Sequence, residues 1–166
     1  DRRQRQMCIR DSREALADIS SWCSDKSLHL LVDEIYHGLH YVDDLPSVLE
    51  IDDSAFVVNS FSKYFGMTGW RLGWIVVPDY AVDKASILAQ NFYISPSSIA
   101  QRAALAGFTE ATRLILEQRR QNFRERRDFL CASLREIGFV LAEEVQGAFY
   151  VYADISAFSE NSEQFC

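Results

Sequence analysis

The run Ala55-Phe56-Val57-Val58-Asn59-Ser60-Phe61-Ser62-Lys63-Tyr64-Phe65-Gly66-Met67-Thr68-Gly69-Trp70-Arg71-Leu72-Gly73 joins a short apolar segment to a dense set of reactive side chains. Residues 55–59, rich in aromatic and β-branched types, read as a buried strand. Lys63 is one of only three lysines in the chain. A lone lysine is ordinarily solvated. This one follows directly on the strand and is expected to sit among Phe61, Tyr64 and Phe65, where burial favours the neutral, nucleophilic amine. A Schiff base to an aldehyde cofactor is the chemistry that uses such an amine. The hydroxyls of Ser60 and Ser62 and the forked guanidinium of Arg71 read as a phosphate site, and Gly66, Gly69 and Gly73 allow close backbone approach. Neither GxxxxGK[ST] nor GxGxxG occurs in the chain, which disfavours a nucleotide as the owner of that phosphate.

Upstream, Leu28-His29-Leu30-Leu31-Val32 is nearly all apolar and ends at Asp33-Glu34-Ile35-Tyr36. The spacing predicts a strand over 28–32, buried on both faces of a parallel sheet. Ligands of open α/β sheets collect at the carboxyl ends of strands, and both Asp33 and Ser60 are expected there. A carboxylate at that position can pair with a protonated ring nitrogen, keeping a pyridine ring able to accept electrons; alone, Asp33 reads better as a turn or cap carboxylate, and its company with Lys63 and Arg71 reverses that balance.

Helices are predicted over 13–23, 80–91, 97–108 and 110–137, and further strands over 73–77, 139–141 and 148–152. This alternation is that of an α/β protein. The helix over 110–137 carries seven Arg against five acids, ends at Gly138, and is expected to present a solvated charged face. His37 and His40 read as rim histidines rather than metal ligands, and Trp70 and Trp74 as packing for the glycine-rich turn. No metal is expected.

With 166 residues, 48% hydrophobic and 25% charged, the composition is globular, and a net charge of −7 disfavours nucleic acid as a partner. No run of about 18 apolar residues suggests a membrane span, and the chain is expected to be soluble and cytoplasmic. Cys8, Cys23, Cys131 and Cys166 lie far apart without ligand spacing and read as free thiols. Residues 1–12 hold four Arg without apolar periodicity and read as a non-native extension, with 7–12 resembling translated adapter sequence. On this reading the chain is an internal fragment.

The Asp-x-x-Tyr at Asp33 and Tyr36, followed by Ser-x-Ser-Lys at 60–63 and Gly-Trp-Arg at 69–71, resembles the pyridoxal-phosphate-dependent aminotransferases of class I and II, with fold type I architecture. The likeness runs over roughly residues 14–158. It implies an α/β fold: a partial cofactor-binding large domain over 13–109, its sheet mostly parallel with helices on both faces, then a connecting helix and truncated α+β small domain over 110–166. The resemblance further implies pyridoxal 5'-phosphate as cofactor and Lys63 as Schiff-base lysine and proton shuttle. By the same resemblance Asp33 pairs with the pyridine nitrogen, Tyr36 hydrogen-bonds the ring's phenolic oxygen, and Ser60, Ser62 and Arg71 hold the phosphate. Ser97 and Ser98 resemble a loop that approaches the neighbouring subunit in a homodimer. The ring-stacking aromatic and the substrate-carboxylate arginine of the family are expected outside the chain, so the chain alone is expected to be inactive. The implied reaction exchanges an α-amino group between an amino acid and a 2-oxo acid. A carbon-sulfur β-lyase, a cyclopropane-forming synthase, an aminotransferase-like effector domain of a transcriptional regulator and an inactive scaffold are the alternatives.

Overall fold

The computed structural model describes residues 12–43, 45–141 and 145–165. Of the extension expected over 1–12, residues 1–11 with Cys8 lie outside the described residues, as does Cys166. Helix α1, Arg13–Asp25, starts at Ser12, whose side chain accepts from the Ala15 amide, the usual means of satisfying a free first-turn donor. It buries Leu16 and Cys23, while Ser20 on the same side donates to Asp52 at 2.6 Å. Ile19 and Trp22, which recur at three-residue steps from Leu16, are exposed.

Strands β1 (Leu31–Asp33), β2 (Phe56–Ser60) and β3 (Gly73–Val76) form one sheet in that order. β1 and β2 are parallel, with Leu31 opposite Phe56 and Asp33 opposite Val58. β3 returns antiparallel, with Gly73 opposite Ser60. The first strand is shorter and later than the predicted 28–32, because Leu28 still belongs to the turn closing α1, its amide donating to the Cys23 carbonyl. Nor is it buried on both faces: Leu31 is 60% exposed and all of β3 is exposed. One face is covered, by a cluster of Val48, Ala55 and Val57 with Leu30, Val32 and Leu49 against it.

A short 3-10 turn, Asp79–Ala81, precedes helix α2, Val82–Phe92, and α3, Ser98–Leu105, begins at Ser97, which accepts from the Ala100 amide. Thus Ser97 serves as a helix cap in this chain. Helix α4, Glu110–Glu136, buries Leu116 and Cys131. Its arginines are not all solvated: Arg120 donates to the His40 carbonyl at 2.9 Å, and Arg127 donates to the Val145 carbonyl and lies over the Tyr41 ring at 4.7 Å. Both described cysteines, Cys23 and Cys131, are free and buried.

Beyond α4, β4 (Val140–Leu141) pairs antiparallel with β5 (Ala153–Asp154), and the short helix α5 spans Ser162–Phe165. The strand predicted over 148–152 therefore begins five residues late. The cause is local: Ala148 sits in the left-handed region at φ 61°, and residues 146–148 turn back onto 39–41. The Tyr41 amide donates to the Gln146 carbonyl at 2.8 Å, the Ala148 amide to the Leu39 carbonyl at 2.8 Å, and the Tyr41 hydroxyl to the Ala148 carbonyl.

Val48, with 0% exposure, is the centre of the cluster under the sheet. Truncation to Ala removes two buried methyl groups and leaves a cavity. Val48→Ala is expected to lower the unfolding free energy in urea by about 2 kcal/mol with an unchanged slope; a loss below about 0.5 kcal/mol, the ordinary surface range, would contradict this core.

Candidate active site

Parallel pairing of β1 with β2 puts both carboxyl ends on one edge of the sheet, and the antiparallel return of β3 brings its amino end to the same edge. Asp33 ends β1 and Ser60 ends β2. Because register partners share a face and alternate residues along a strand do too, Asp33, Val58 and Ser60 lie on one face. Gly73 must be glycine: a Cβ there would come 2.7 Å from the Asn59 carbonyl oxygen.

Asp33 is exposed and accepts from the Ile35 amide at 3.1 Å, which turns the chain toward Tyr36. Its neighbour Glu34 faces inward, 6% exposed, accepting from the Ser47 hydroxyl at 2.9 Å and the Val48 amide at 2.9 Å. His37 Nδ1 lies 3.3 Å from the same carboxylate, an acidic partner that residue spacing alone does not reveal. Among the described residues no group of three or more His, Cys, Asp or Glu stands where it could hold a metal ion.

On the second arm the Ser60 and Ser62 hydroxyls are 2.9 Å apart, and the Ser62 amide donates to Ser60 Oγ at 3.0 Å. Thr68 Oγ1 donates to the Ser62 carbonyl at 2.7 Å, and Arg71 Nη1 to the Thr68 carbonyl at 3.0 Å. Arg71 occupies the left-handed region, φ 52°, and is exposed. The serines, Thr68 and Arg71 are thus chained by hydrogen bonds around one bend.

Lys63 is half-buried, with Nζ 5.5 Å from the Tyr36 ring centre and 5.2 Å from that of Phe149. Those two rings meet edge to face at 5.8 Å. The expected companions of Lys63 point elsewhere: Phe61 and Phe65 stack at 4.8 Å with Phe108 beside them, over Leu72, Ala100 and Ala104. Trp74 joins this group, 5.0 Å from Phe61, whereas Trp70 is half-exposed in its 3-10 turn. An apolar cleft of about 530 Å³ opens on this side, lined by Asn59, Phe61, Phe65, Trp74 and Phe108 and reaching His37 and Tyr64 of the two arms, though neither Asp33 nor Ser60. Phe149 carries no local signal of its place in the site, because it arrives from beyond α4 and only the return of 146–148 onto 39–41 delivers it.

Tyr64 packs its ring on Gly38, which has φ 93°. Its hydroxyl donates to Glu117 at 2.6 Å, and burial, followed by this carboxylate, pushes the phenol up to about 12. The Tyr64 hydrogen bond, aided by Arg120, holds Glu117 below the usual carboxylate range.

Comparison with known proteins places the chain in a family. Residues 12–165 match the family model described as aminotransferase class I and II. The chain belongs to this family. It is 41% identical over 155 residues to the valine–pyruvate aminotransferase of Mycobacterium tuberculosis, covering 92% of this chain and 40% of that protein. It is 38% identical over 151 residues to an aspartate aminotransferase of Streptomyces avermitilis, covering 88% and 37%. Among solved structures, an aminotransferase from Mycobacterium tuberculosis superposes with TM-score 0.89 at 41% identity over 93% of this chain and 40% of that one. A mutant of Thermus thermophilus aspartate aminotransferase gives 0.83 at 32% identity over 89% and 41%. The α/β fold is therefore that of the fold type I aminotransferases, and the chain spans about 40% of the length of such relatives.

Gly38 decides whether the two arms can approach. Adding a methyl group would bring Cβ within 2.6 Å of Tyr64 Cγ at a φ that L-residues avoid. Gly38→Ala is expected to cost roughly 2 kcal/mol or more in urea unfolding; a change within about 0.5 kcal/mol would contradict the packing.

Proposed function

We propose that the chain carries the lysine half of a pyridoxal 5'-phosphate site in an enzyme that transfers an α-amino group between an amino acid and a 2-oxo acid. The single observation that supports this most strongly is the gathering of Asp33, Ser60, Ser62, Lys63 and Arg71 along one sheet edge, with the Lys63 amine between two rings.

The donor set fits the cofactor. Two adjacent hydroxyls and an exposed guanidinium suit a phosphate dianion, a carboxylate at the end of β1 suits a pyridinium nitrogen, and a half-buried primary amine suits an aldehyde. When bound, the cofactor supplies an electron sink for negative charge at the substrate's α-carbon. Ser60, Ser62 and Arg71 would anchor the phosphate, Asp33 would keep the ring nitrogen protonated, and Tyr36 would donate to the ring's phenolic oxygen. Lys63 Nζ would be the covalent tether and, once freed, would carry the proton between the substrate's α-carbon and the cofactor. Tyr36 and Phe149 would flank that amine.

Transamination is preferred to β-lysis, to a regulator's effector domain and to an inactive scaffold because the relatives compared are named aminotransferases and Lys63, Asp33 and Arg71 are present together. The reading includes a cofactor-binding unit over 13–109, a connecting helix and small-domain unit over 110–166, a homodimeric and cytoplasmic enzyme of amino-acid metabolism, and neither nucleic acid nor membrane as partner. No described helix is long and apolar enough to cross a membrane.

Borohydride reduction of the purified chain with pyridoxal phosphate, followed by peptide mass spectrometry, tests the reading. Label is expected at Lys63 in strong preference to Lys26 and Lys84, and to vanish from that peptide in Lys63→Ala. Label spread evenly over the three lysines would overturn it.

A further inference from the structure

The two arms of the site meet a third element. Tyr64 follows Lys63 directly, and its hydroxyl donates to Glu117 Oε1 of α4 at 2.6 Å. The second oxygen of the same carboxylate accepts from Arg120 Nε at 2.8 Å. Arg120 reaches onward, donating from Nη1 to the His40 carbonyl at 2.9 Å, on the segment that carries Asp33 and Tyr36. Between these links the Tyr64 ring lies directly on Gly38, leaving no room for a Cβ. One carboxylate therefore grips the lysine arm through one oxygen and the aspartate arm through the other. A phenol donating to a carboxylate that is also held by a guanidinium is a charge-assisted network with fixed geometry.

We propose that Glu117 is a positioning residue for the cofactor reaction, setting the distance of Lys63 from Asp33 and Tyr36 through Tyr64 and Arg120. This rests on the reading of Lys63 as the cofactor lysine. Glu117 touches no reacting atom. Its side chain and that of Arg120 are 42% and 33% exposed, and ion pairs so placed add little to global stability. Its removal should thus be felt at Lys63 more than in the melting curve.

The test uses the purified chain with pyridoxal phosphate below saturation, reading the borohydride-trapped fraction at Lys63 against Lys26 and Lys84, with thermal melting alongside. Glu117→Ala and Tyr64→Phe are each expected to lower trapping at Lys63 by about threefold to tenfold, the range that loss of one net intramolecular hydrogen bond gives. The double variant should lose no more than the larger single one, because both break the same link. Glu117→Gln keeps an acceptor for Tyr64 and should recover part of the loss. Trapping at Lys26 and Lys84 should not change. Trapping at Lys63 equal to wild type, additive losses in the double variant, or losses that only follow a fall in folded protein would each overturn the role of Glu117 while leaving the lysine assignment intact. Absence of preferential Lys63 label in the wild-type chain would overturn both.

Discussion

Everything at the candidate site depends on the register between two short strands. Asp33 opposite Val58 in a parallel pair sends both chains out of the sheet on the same edge, so the carboxylate of one and the Ser-x-Ser-Lys segment of the other leave side by side. The antiparallel third strand then brings Arg71 back to that edge, two residues before Gly73 pairs with Ser60. A shift of one residue in the first pair would turn Asp33 to the opposite face. The register is held by the side chains beneath: Val32 and Val57 are partners over Val48 and Ala55, and Val48 donates its amide to the buried Glu34 carboxylate next to Asp33.

Short strands cannot by themselves keep two departing loops at a constant separation, and aromatic packing takes over that task. The Tyr64 ring seated on Gly38 spaces the arms, while Glu117 and Arg120 of α4 close the gap from outside. Farther along the same helix, Arg127 stacks on Tyr41, whose hydroxyl holds the Ala148 carbonyl. This second set of contacts carries Phe149 over Lys63. The long helix is therefore a strut touching both arms and the segment that follows it.

Residues whose chemistry is encoded at short range are legible in the sequence. Asp33 stands at the end of an apolar run, and Ser60, Ser62, Lys63 and Arg71 share one bend, so strand ends and residue types suffice to bring them together. Exposure is not legible in the same way. A run such as Leu28-His29-Leu30-Leu31-Val32 reports what a strand could bury, whereas Leu31 is 60% exposed in the folded chain. The late strand after α4 falls beyond its expected place because a left-handed Ala148 carries no composition signal. Phe149 and Glu117 are hidden for a related reason: an aromatic among aromatics and an acid on an acid-rich helix acquire meaning only when distant backbone turns toward them.

A crystal structure of the chain with pyridoxal phosphate reduced onto it tests the central claim most directly. The account predicts a covalent link at Lys63 Nζ, phosphate oxygens within hydrogen-bond reach of Ser60, Ser62 and Arg71, and the ring nitrogen beside Asp33. A cofactor seated instead in the apolar cleft by Phe61 and Trp74, or with its phosphate away from the two serines, would contradict it.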